Sequence, residues 1–464
     1  MKAYLNKFIA VVYLAVTIFF VITLVRLNIL PTVYLAAIIA VLALVSFILI
    51  KFIKKTVSAI IAVLLIALLA FASFNMASTL DFFVNISDEK QVQNFYVVVM
   101  ADSEYEEIVD IDGETVGIMT RGGRAYTDAQ DKLSEKVDVV FEEADNYDVL
   151  AQSLINGKYE AIFINSAYYE MALEYVDGFS KDSTRILEES TGVDEMKSDT
   201  KAVNVTKDSF NMYISGIDTS GSIGNISRSD VNMIVTVNPS DRTILLTSIP
   251  RDYYVELGTI GQLDKLTHSG LYGINETTAT IEKLFGVDIN YYAKVNFTTV
   301  VNLVDALGGI TVDSDYSFYG GGYYFNAGEN YLNGDQALAF ARERYSFTEG
   351  DRQRVKNQQA VITGVINKVT GSTAILTNYN SILNSVENNF QTNLTQKDMT
   401  SLVKMQLKDM GGWTIIQQSV NGSGYMTPVY SMPHVNVYVM QPDESTVLAA
   451  TEKIKEVMAN TNDN

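Results

Sequence analysis

The sequence predicts an α/β protein that begins with three transmembrane helices, continues with a small α/β unit and ends with a larger layered α/β domain. Three observations support this prediction. The first 74 residues contain three apolar runs without a charged side chain. Residues 90–200 alternate short extended stretches with helical ones. Beyond residue 205, β-branched runs of strand length are followed by candidate helices.

Composition excludes several chemistries. The 464 residues include 34 Lys or Arg and 54 Asp or Glu, giving a net charge of −20, with two His and no Cys. Disulfides, thiol catalysis and Cys-built zinc sites are therefore excluded, and imidazole chemistry could come only from His268 and His434. A strongly acidic soluble part also disfavours nucleic acid as a partner.

The first element is the membrane segment. Phe8–Val25, Val33–Ile50 and Val57–Phe74 are uncharged apolar runs, close to the ~20 residues that cross a bilayer. A cleaved signal peptide would explain the first run alone. We therefore expect three transmembrane helices within residues 1–77.

Flanking charges predict the orientation of these helices. Lys2 and Lys7 precede the first span and residues 51–55 between the last two carry three lysines, whereas the first connection offers only Arg26. The positive-inside rule places the N-terminus in the cytoplasm, so residues from about 77 onward are expected to be extracytoplasmic.

The next element, residues 90–200, is predicted to be a small α/β domain. Strands are expected at Phe95–Met100, Glu114–Met119, Asp138–Phe141 and Glu160–Ile164, and helices at Asp128–Lys136 and Tyr147–Asn156. The mostly polar stretch Phe179–Asp199 is interpreted as the linker to the following domain.

Residues 205–464 are predicted to form one layered α/β domain. The expected strands are Met212–Ile217, Val231–Val237 and Thr243–Ile249. The expected helices are Glu276–Phe285, Thr298–Leu307, Gly334–Ala341 and Asp351–Val369. Residues 371–464 carry no recognisable motif and are expected to complete the same domain.

Charged residues gather at the predicted strand ends. Asp218 ends the first strand, Arg228 and Asp230 precede the second, and Arg251 and Asp252 follow the third. Ligands of α/β sheets bind at such edges, and two acids with two arginines suit Mg²⁺ bound to a phosphate. An equally plausible alternative is that Asp218 and Asp230 only form a turn and a cap.

A second basic cluster lies further along the chain. It comprises Arg342, Arg344, Arg352, Arg354 and Lys356. Arg342 and Arg344 can grip one anion only if the chain is extended there, whereas Arg354 and Gln358 share one face of a helix. The competing interpretation is an ordinary solvated charged face.

These elements together resemble the LytR-CpsA-Psr family. The matching stretches, in the family's order over roughly 211–370, are Asn211–Tyr254 with its GID, RSD and SIPRD elements, Asp264–His268, Val301–Gly309, and Ala339–Gln358 with ARERYSF and GD-x-x-R-x-x-x-Q. Three N-terminal spans followed by an accessory domain resemble the capsule-associated branch, whose fold would be an α/β/α domain with a central mixed sheet.

The resemblance implies an extracytoplasmic bacterial phosphotransferase that attaches a polyprenyl-pyrophosphate-linked glycopolymer, a capsule or wall polysaccharide, to peptidoglycan. Asp218 and Asp230 match the family's magnesium-binding aspartates. The pyrophosphate would be contacted or approached by Arg228, Arg251, Lys265, Arg342, Arg344, Arg354 and Gln358. Where relatives often have Arg-Gln-Gln, this chain has Asn357-Gln358-Gln359.

The catalytic roles have more than one candidate residue. Arg251, Asp252, Arg342 and Arg344 are the candidate catalytic residues, and Asp252 and Asp351 are equal candidates for the general base. His268 is more consistent with a hydrogen-bonded packing residue than with a catalyst. Alternative functions are a Mg²⁺-dependent lipid pyrophosphatase, and a membrane-anchored receptor or regulator of capsule assembly.

Overall fold

The computed structural model describes residues 2–86, 90–119, 123–195, 201–217, 223–348, 350–371, 381–382, 385 and 389–459. One of the two predicted metal ligands, Asp218, lies outside the described residues.

The N-terminal segment forms three apolar helices, α1 (Lys2–Leu27), α2 (Thr32–Lys51) and α3 (Thr56–Ile86). All three are long and apolar enough to cross a membrane, as the sequence predicts. Tyr13 is 1% exposed at their contact and accepts a 3.2 Å hydrogen bond from Ser46. Most other apolar side chains of these helices face outward, the arrangement that a lipid environment requires.

The first soluble unit is a five-stranded sheet with strand order β3-β2-β4-β1-β5. Its elements are β1 (Lys90–Met100), β2 (Thr115–Met119), α4 (Arg124–Ser134), β3 (Val140–Ala144), α5 (Tyr147–Ile155), β4 (Ala161–Asn165), α6 (Ser166–Tyr175) and β5 (Thr184–Glu195). Strand β4 is buried on both faces: Phe163 packs with the α4 side, and Ile162 and Ile164 pack with α5 and α6. Helices therefore cover both faces of the sheet.

The linker interpretation of Phe179–Asp199 is wrong for most of its length. Residues 184–195 form β5, which pairs antiparallel with β1 from Thr184 to Glu195. Its polar composition reflects its position at the edge of the sheet, because an edge strand can expose one face and one row of backbone groups to solvent.

The second soluble unit is built on a mixed six-stranded sheet with strand order β16-β11-β6-β7-β8-β17. The strands are β6 (Phe210–Ile217), β7 (Val231–Asn238), β8 (Thr243–Ile249), β11 (Tyr291–Asn296), β16 (Phe390–Thr392) and β17 (Thr414–Ser419). Strands β11, β6, β8 and β17 are parallel, and β7 and β16 run against them.

Helices cover both faces of this sheet. Helices α8 (Ile274–Phe285) and α13 (Glu444–Met458) pack on one face, and α11 (Asp351–Gly371) and α12 (Gln396–Asp409) pack on the other. The predicted α/β/α layering with a central mixed sheet is confirmed. The segment after residue 371 contributes two strands of the sheet and two of these helices.

Short elements surround the sheet. They are β9 (Tyr254–Glu256), β10 (Leu263–Lys265), α7 (Leu266–Ser269), α9 (Phe297–Ala306), β12 (Ile310–Ser314), β13 (Phe318–Gly320), β14 (Tyr323–Phe325), β15 (Gly328–Leu332), α10 (Gly334–Arg342), β18 (Gly422–Val429) and β19 (Met432–Pro442). The β18–β19 hairpin packs against the first soluble unit, where Val437 and Val439 share a buried cluster with Leu150 and Ile164. The two soluble units thus share part of their core.

Candidate active site

One edge of the mixed sheet gathers the predicted site. Strands β6 and β8 end at this edge and β7 begins there, with Asn232 opposite Ile249. The backbone N–H of Asp230 donates to the Gly216 carbonyl at 2.8 Å, which fixes Asp230 beside β6. A Cβ atom on Gly216 would lie 2.6 Å from that of Val231, so only glycine fits here.

An ionic network joins residues that follow and precede these strands. Arg251 Nη1 lies 2.7 Å from Asp230 Oδ1, and its Nε lies 3.7 Å from Asp252 Oδ2. Lys265 Nζ lies 2.6 Å from Asp252 Oδ1 and its side chain is only 6% exposed. Burial alone would lower the pKa of Arg251, but the carboxylates of Asp230 and Asp252 outweigh it and raise this pKa.

The start of α11 adds positive charge to the same region. Arg354 forms an ion pair with Asp351, and its Nε is buried without a partner among the described residues. Burial lowers the pKa of Arg354 and the charges of Arg251 and Arg344 lower it further, against the opposing effect of Asp351. The three guanidinium groups are therefore electrostatic neighbours, and a bound anion would relieve their repulsion.

The backbone changes from helical to extended between Arg342 and Arg344. Helix α10 ends at Arg342, and Glu343 is extended with φ −66° and ψ 130°. The Arg342 guanidinium lies 4.3 Å from the ring centroid of Phe297, the first residue after β11. Arg344 stacks on Tyr345 at 4.7 Å. Arg342 therefore lies at the same edge of the sheet as Asp230 and Arg251.

The departure from the family pattern at 357 is a packing change. Asn357 is 2% exposed and donates a 3.1 Å hydrogen bond to the Phe340 carbonyl, tying α11 to α10. Lys356 is half-exposed and lies 3.6 Å from Asp315, so it joins a different surface. Gln358 is half-buried on α11, one turn after Arg354. Arg354 and Lys356 are two positions apart and therefore about 200° apart around the helix axis, so Lys356 does not extend the arginine site.

One residue of the site was missed by the sequence analysis. Glu174, on α6 of the first soluble unit, forms an ion pair with Arg228. Burial would raise the pKa of Glu174, but the charge of Arg228 outweighs it and lowers this pKa, with a further contribution from Lys265. No motif surrounds Glu174, and a contact over 54 positions depends on how the two units pack.

Metal binding by the described residues is chemically reasonable. The ion pair between Asp230 and Arg251 uses the Oδ1 atom of the carboxylate. Within the described ranges no group of three acidic or His side chains could hold a metal by itself. Mg²⁺ commonly uses one or two carboxylates with substrate phosphates and water. Asp230 is the one predicted magnesium ligand that the structure describes, and its carboxylate is a ligand type that suits magnesium beside a bound phosphate.

His268 lies in a separate buried network. Its Nδ1 is 2.8 Å from Asp264 Oδ1 and 2.9 Å from Ser431 Oγ, and His268 and Asp264 are both 0% exposed. Because the aspartate and the serine meet the same ring nitrogen, the imidazole cannot relay a proton between them as a catalytic triad does. His268 is a hydrogen-bonded packing residue, as its sequence context favoured.

The structure thus brings most of the predicted site residues to one edge. Ion pairs or electrostatic effects link a set of seven residues, Arg228, Asp230, Arg251, Asp252, Lys265, Arg344 and Arg354. Arg342 joins this edge through Phe297, and Gln358 follows on α11. These residues come from five separate stretches of the chain.

Comparison with known proteins gives a consistent assignment. The model of the LytR_cpsA_psr family matches residues 178–456. The chain is 35% identical over 266 residues to the polyisoprenyl-teichoic acid–peptidoglycan teichoic acid transferase TagU of Bacillus licheniformis, covering 57% of this chain and 83% of the relative. It is 36% identical over 267 residues to TagU of Bacillus subtilis, with the same coverage. A crystal structure of B. subtilis TagU aligns over 55% of this chain and 99% of that chain, at 35% identity and a TM-score of 0.44.

Proposed function

The chain belongs to the LytR-CpsA-Psr family, and we propose that it is an extracytoplasmic phosphotransferase that attaches a polyprenyl-pyrophosphate-linked glycopolymer to peptidoglycan. The observation that carries the proposal is the convergence of Arg251, Arg344 and Arg354 on one region beside Asp230. Besides burial, the charges of Arg251 and Arg344 lower the pKa of Arg354 even though Asp351 is nearby, and a pyrophosphate would relieve this repulsion. The transferase names of the relatives support the same reaction class.

The proposed reaction is displacement at the phosphorus that carries the glycan. A hydroxyl of peptidoglycan attacks this phosphorus, a new phosphodiester P–O bond forms, and the P–O bond to the bridging pyrophosphate oxygen breaks. Polyprenyl phosphate leaves with the electron pair, and the hydroxyl proton passes to a base. Arginines aimed at the phosphoryl oxygens stabilise the charge that develops on the leaving group.

Asp230, with Asp218, is the proposed holder of Mg²⁺. When bound, the ion would supply Lewis-acid neutralisation of phosphoryl oxygens. Arg251 orients the Asp230 carboxylate through their 2.7 Å contact, and Asp252 in turn lies between Arg251 and Lys265. The protein therefore fixes its ligand carboxylate through an arginine that also faces the pyrophosphate.

Asp351 is the better of the two candidates for the general base. Asp252 directs one oxygen to Lys265 and the other toward Arg251, and its side chain is 17% exposed. Asp351 is 45% exposed and its ion pair with Arg354 uses Oδ1. An acceptor hydroxyl can therefore approach Asp351 more readily. An Asp351→Asn variant should lose transfer with unchanged donor binding.

A double variant tests the proposed function. Arg342→Ala plus Arg344→Ala should abolish transfer of lipid-linked polymer to wall acceptor, measured with purified full-length protein in detergent or nanodiscs. Arg352→Ala plus Lys356→Ala also removes two positive charges, from the start of α11. It is the matched control, because Arg352 is exposed and Lys356 lies beside Asp315, away from the arginine site. Unchanged polymer attachment by the Arg342 and Arg344 variant would contradict the proposal and favour a receptor role.

Product analysis separates transfer from hydrolysis at the same site. Transfer yields polymer joined to the wall acceptor, whereas a lipid pyrophosphatase would release free phosphorylated polymer in the presence of the acceptor. We propose the bacterial cell membrane as the location, with a cytoplasmic N-terminus. Protease added to intact protoplasts should then remove the mass beyond residue 77, and protection of that mass would contradict this topology.

A further inference from the structure

A cleft of about 430 Å³ lies between the two soluble units. One wall comes from β1, β4 and helices α5 and α6 of the first unit, including Gln93, Asn165 and Tyr168. The other wall comes from the second unit and includes Leu271, Tyr272 and Tyr430. A volume of this size suits a small ligand of one to a few rings.

Tyrosines from both soluble units line the cleft. Tyr147 and Tyr168 stack with ring centroids 5.0 Å apart, and Tyr272 and Tyr430 face them from the other unit at 6.3 Å from each other. Tyr147 is 1% exposed, and its hydroxyl has no hydrogen-bond partner among the described residues. Aromatic faces carry partial negative charge and attract the polarised C–H groups of a sugar ring.

The polar part of the lining is mostly uncharged. Gln93, Asn146 and Asn165 contribute amides, and Asn165 donates to Gln93, which donates to Asp194. The described lining contains two aspartates and no basic side chain. A phosphate or another anion would find no counter-charge there, whereas amides can both donate to and accept from sugar hydroxyls. Tyrosine faces combined with amides therefore favour a neutral saccharide.

The cleft adjoins the arginine site through shared elements. Helix α6 places Tyr168 in the cleft and, six residues later, Glu174 on Arg228. Those positions are about 9 Å apart along the helix axis at 1.5 Å per residue. On the other wall, Ser431 bonds to Asp264, the residue before Lys265. The cleft is therefore within reach of a sugar chain whose first residue is attached to a pyrophosphate at the arginines.

We propose that this cleft binds the neutral sugars of the donor polymer nearest the pyrophosphate. The inference rests on the proposed function and names a binding site for the same substrate. It gives the first soluble unit a direct role, because neither unit alone supplies both walls. Donor sugars are favoured over the acceptor because they are covalently tied to the pyrophosphate that the arginines are proposed to hold.

The test measures saccharide binding to the full-length protein in nanodiscs by calorimetry. The first probe is the oligosaccharide repeat released without lipid or phosphate from the producing strain's own wall polymer. The second probe is the disaccharide of N-acetylglucosamine and N-acetylmuramic acid. The variants are Tyr168→Leu, which keeps apolar volume but loses the aromatic face, and Asn146→Ala, whose side chain makes no helix-capping bond. Tyr425→Leu makes the first change at a 40% exposed tyrosine outside the cleft lining.

We expect the wall-polymer oligosaccharide to bind and both cleft variants to weaken it at least tenfold, with the Tyr425 variant unchanged and thermal midpoints preserved. Three results would each overturn the inference: the native protein does not bind the oligosaccharide, both cleft variants bind it as tightly as the native protein does, or the cleft binds the peptidoglycan disaccharide alone. The Arg342 and Arg344 variant should still bind the oligosaccharide, because this probe lacks the pyrophosphate. A failed saccharide-binding test with polymer transfer intact would therefore overturn the cleft inference but not the proposed function.

Discussion

Replacing Asp230 with asparagine perturbs the centre of the proposed site while keeping its shape. The amide occupies the space of the carboxylate, so packing at the start of β7 is retained. The change removes the negative charge that faces Arg251 at 2.7 Å, leaving that guanidinium with Asp252 at 3.7 Å. It also removes the only described carboxylate among the two predicted magnesium ligands.

The expected loss of stability is small. A hydrogen bond between charged groups contributes about 1.5–3 kcal/mol when well shielded. The side chains of Asp230 and Arg251 are 17% and 30% exposed, and Asp252 remains as a second partner. Solvent screening therefore reduces the expected loss in the free energy of unfolding to about 1–1.5 kcal/mol.

The expected loss of activity is larger. Removing one preorganised electrostatic group from a site that stabilises developing charge lowers kcat by about 10²–10³-fold. That factor corresponds to about 3–4 kcal/mol in activation free energy. Here the same substitution weakens a proposed metal ligand and releases an arginine. The Mg²⁺ concentration for half-maximal activity should therefore also rise.

The assay follows transfer of labelled lipid-linked polymer to wall acceptor over a Mg²⁺ titration, alongside thermal unfolding of the same preparations. Asp288→Asn is the matched control: Asp288 pairs with Lys201 at 2.5 Å, is 70% exposed and precedes β11 at the opposite edge of the sheet. Activity of the Asp230 variant within twofold of the native protein, with an unshifted Mg²⁺ requirement, would refute the reasoning.

Three further predictions concern other buried or interfacial charges. Glu174→Gln should free Arg228 for the pyrophosphate and lower the donor KM severalfold at unchanged kcat. The loss in the free energy of unfolding should stay under about 1 kcal/mol, because the ion pair is partly exposed. A raised donor KM would contradict this prediction. His268→Ala should lower the thermal midpoint by about 5–10 °C, because Asp264 loses a buried partner and a cavity forms, and an unchanged midpoint would show that the network is not structural. Burial lowers the pKa of Lys294 to about 8 from an ordinary 10.5. Below pH 8 the buried ammonium group therefore destabilises the folded state. The free energy of unfolding should rise between pH 8 and 10.5, by about 1.4 kcal/mol per pH unit at most. Lys294→Met should be more stable at pH 7.5 and lack that rise in denaturant titrations, and parallel pH profiles of variant and native protein would contradict the prediction.

The sequence alone predicted the elements whose signals are local. Uncharged apolar runs of membrane-spanning length predicted α1 to α3, and β-branched runs predicted β6, β7 and β8. The residues after β6 and β8 and those before β7 could be expected at one site, because these strand ends meet at a common edge when β7 runs antiparallel to its neighbours. Asp230 and Arg251 are such a pair, and their contact follows from strand order.

Tertiary structure decided what composition and order leave open. Polar residues 184–195 look like a linker, yet they form an edge strand because β1 offers an unpaired partner. Arg354 and Lys356 are both basic residues at the start of α11, but their side chains point in different directions. Arg354 pairs with Asp351, whereas Lys356 lies beside Asp315. Glu174 contacts Arg228, and tyrosines of both units line one cleft, only because the two soluble units pack together. Contacts between surfaces of separate units depend on their mutual fit, for which a linear pattern carries no local signal.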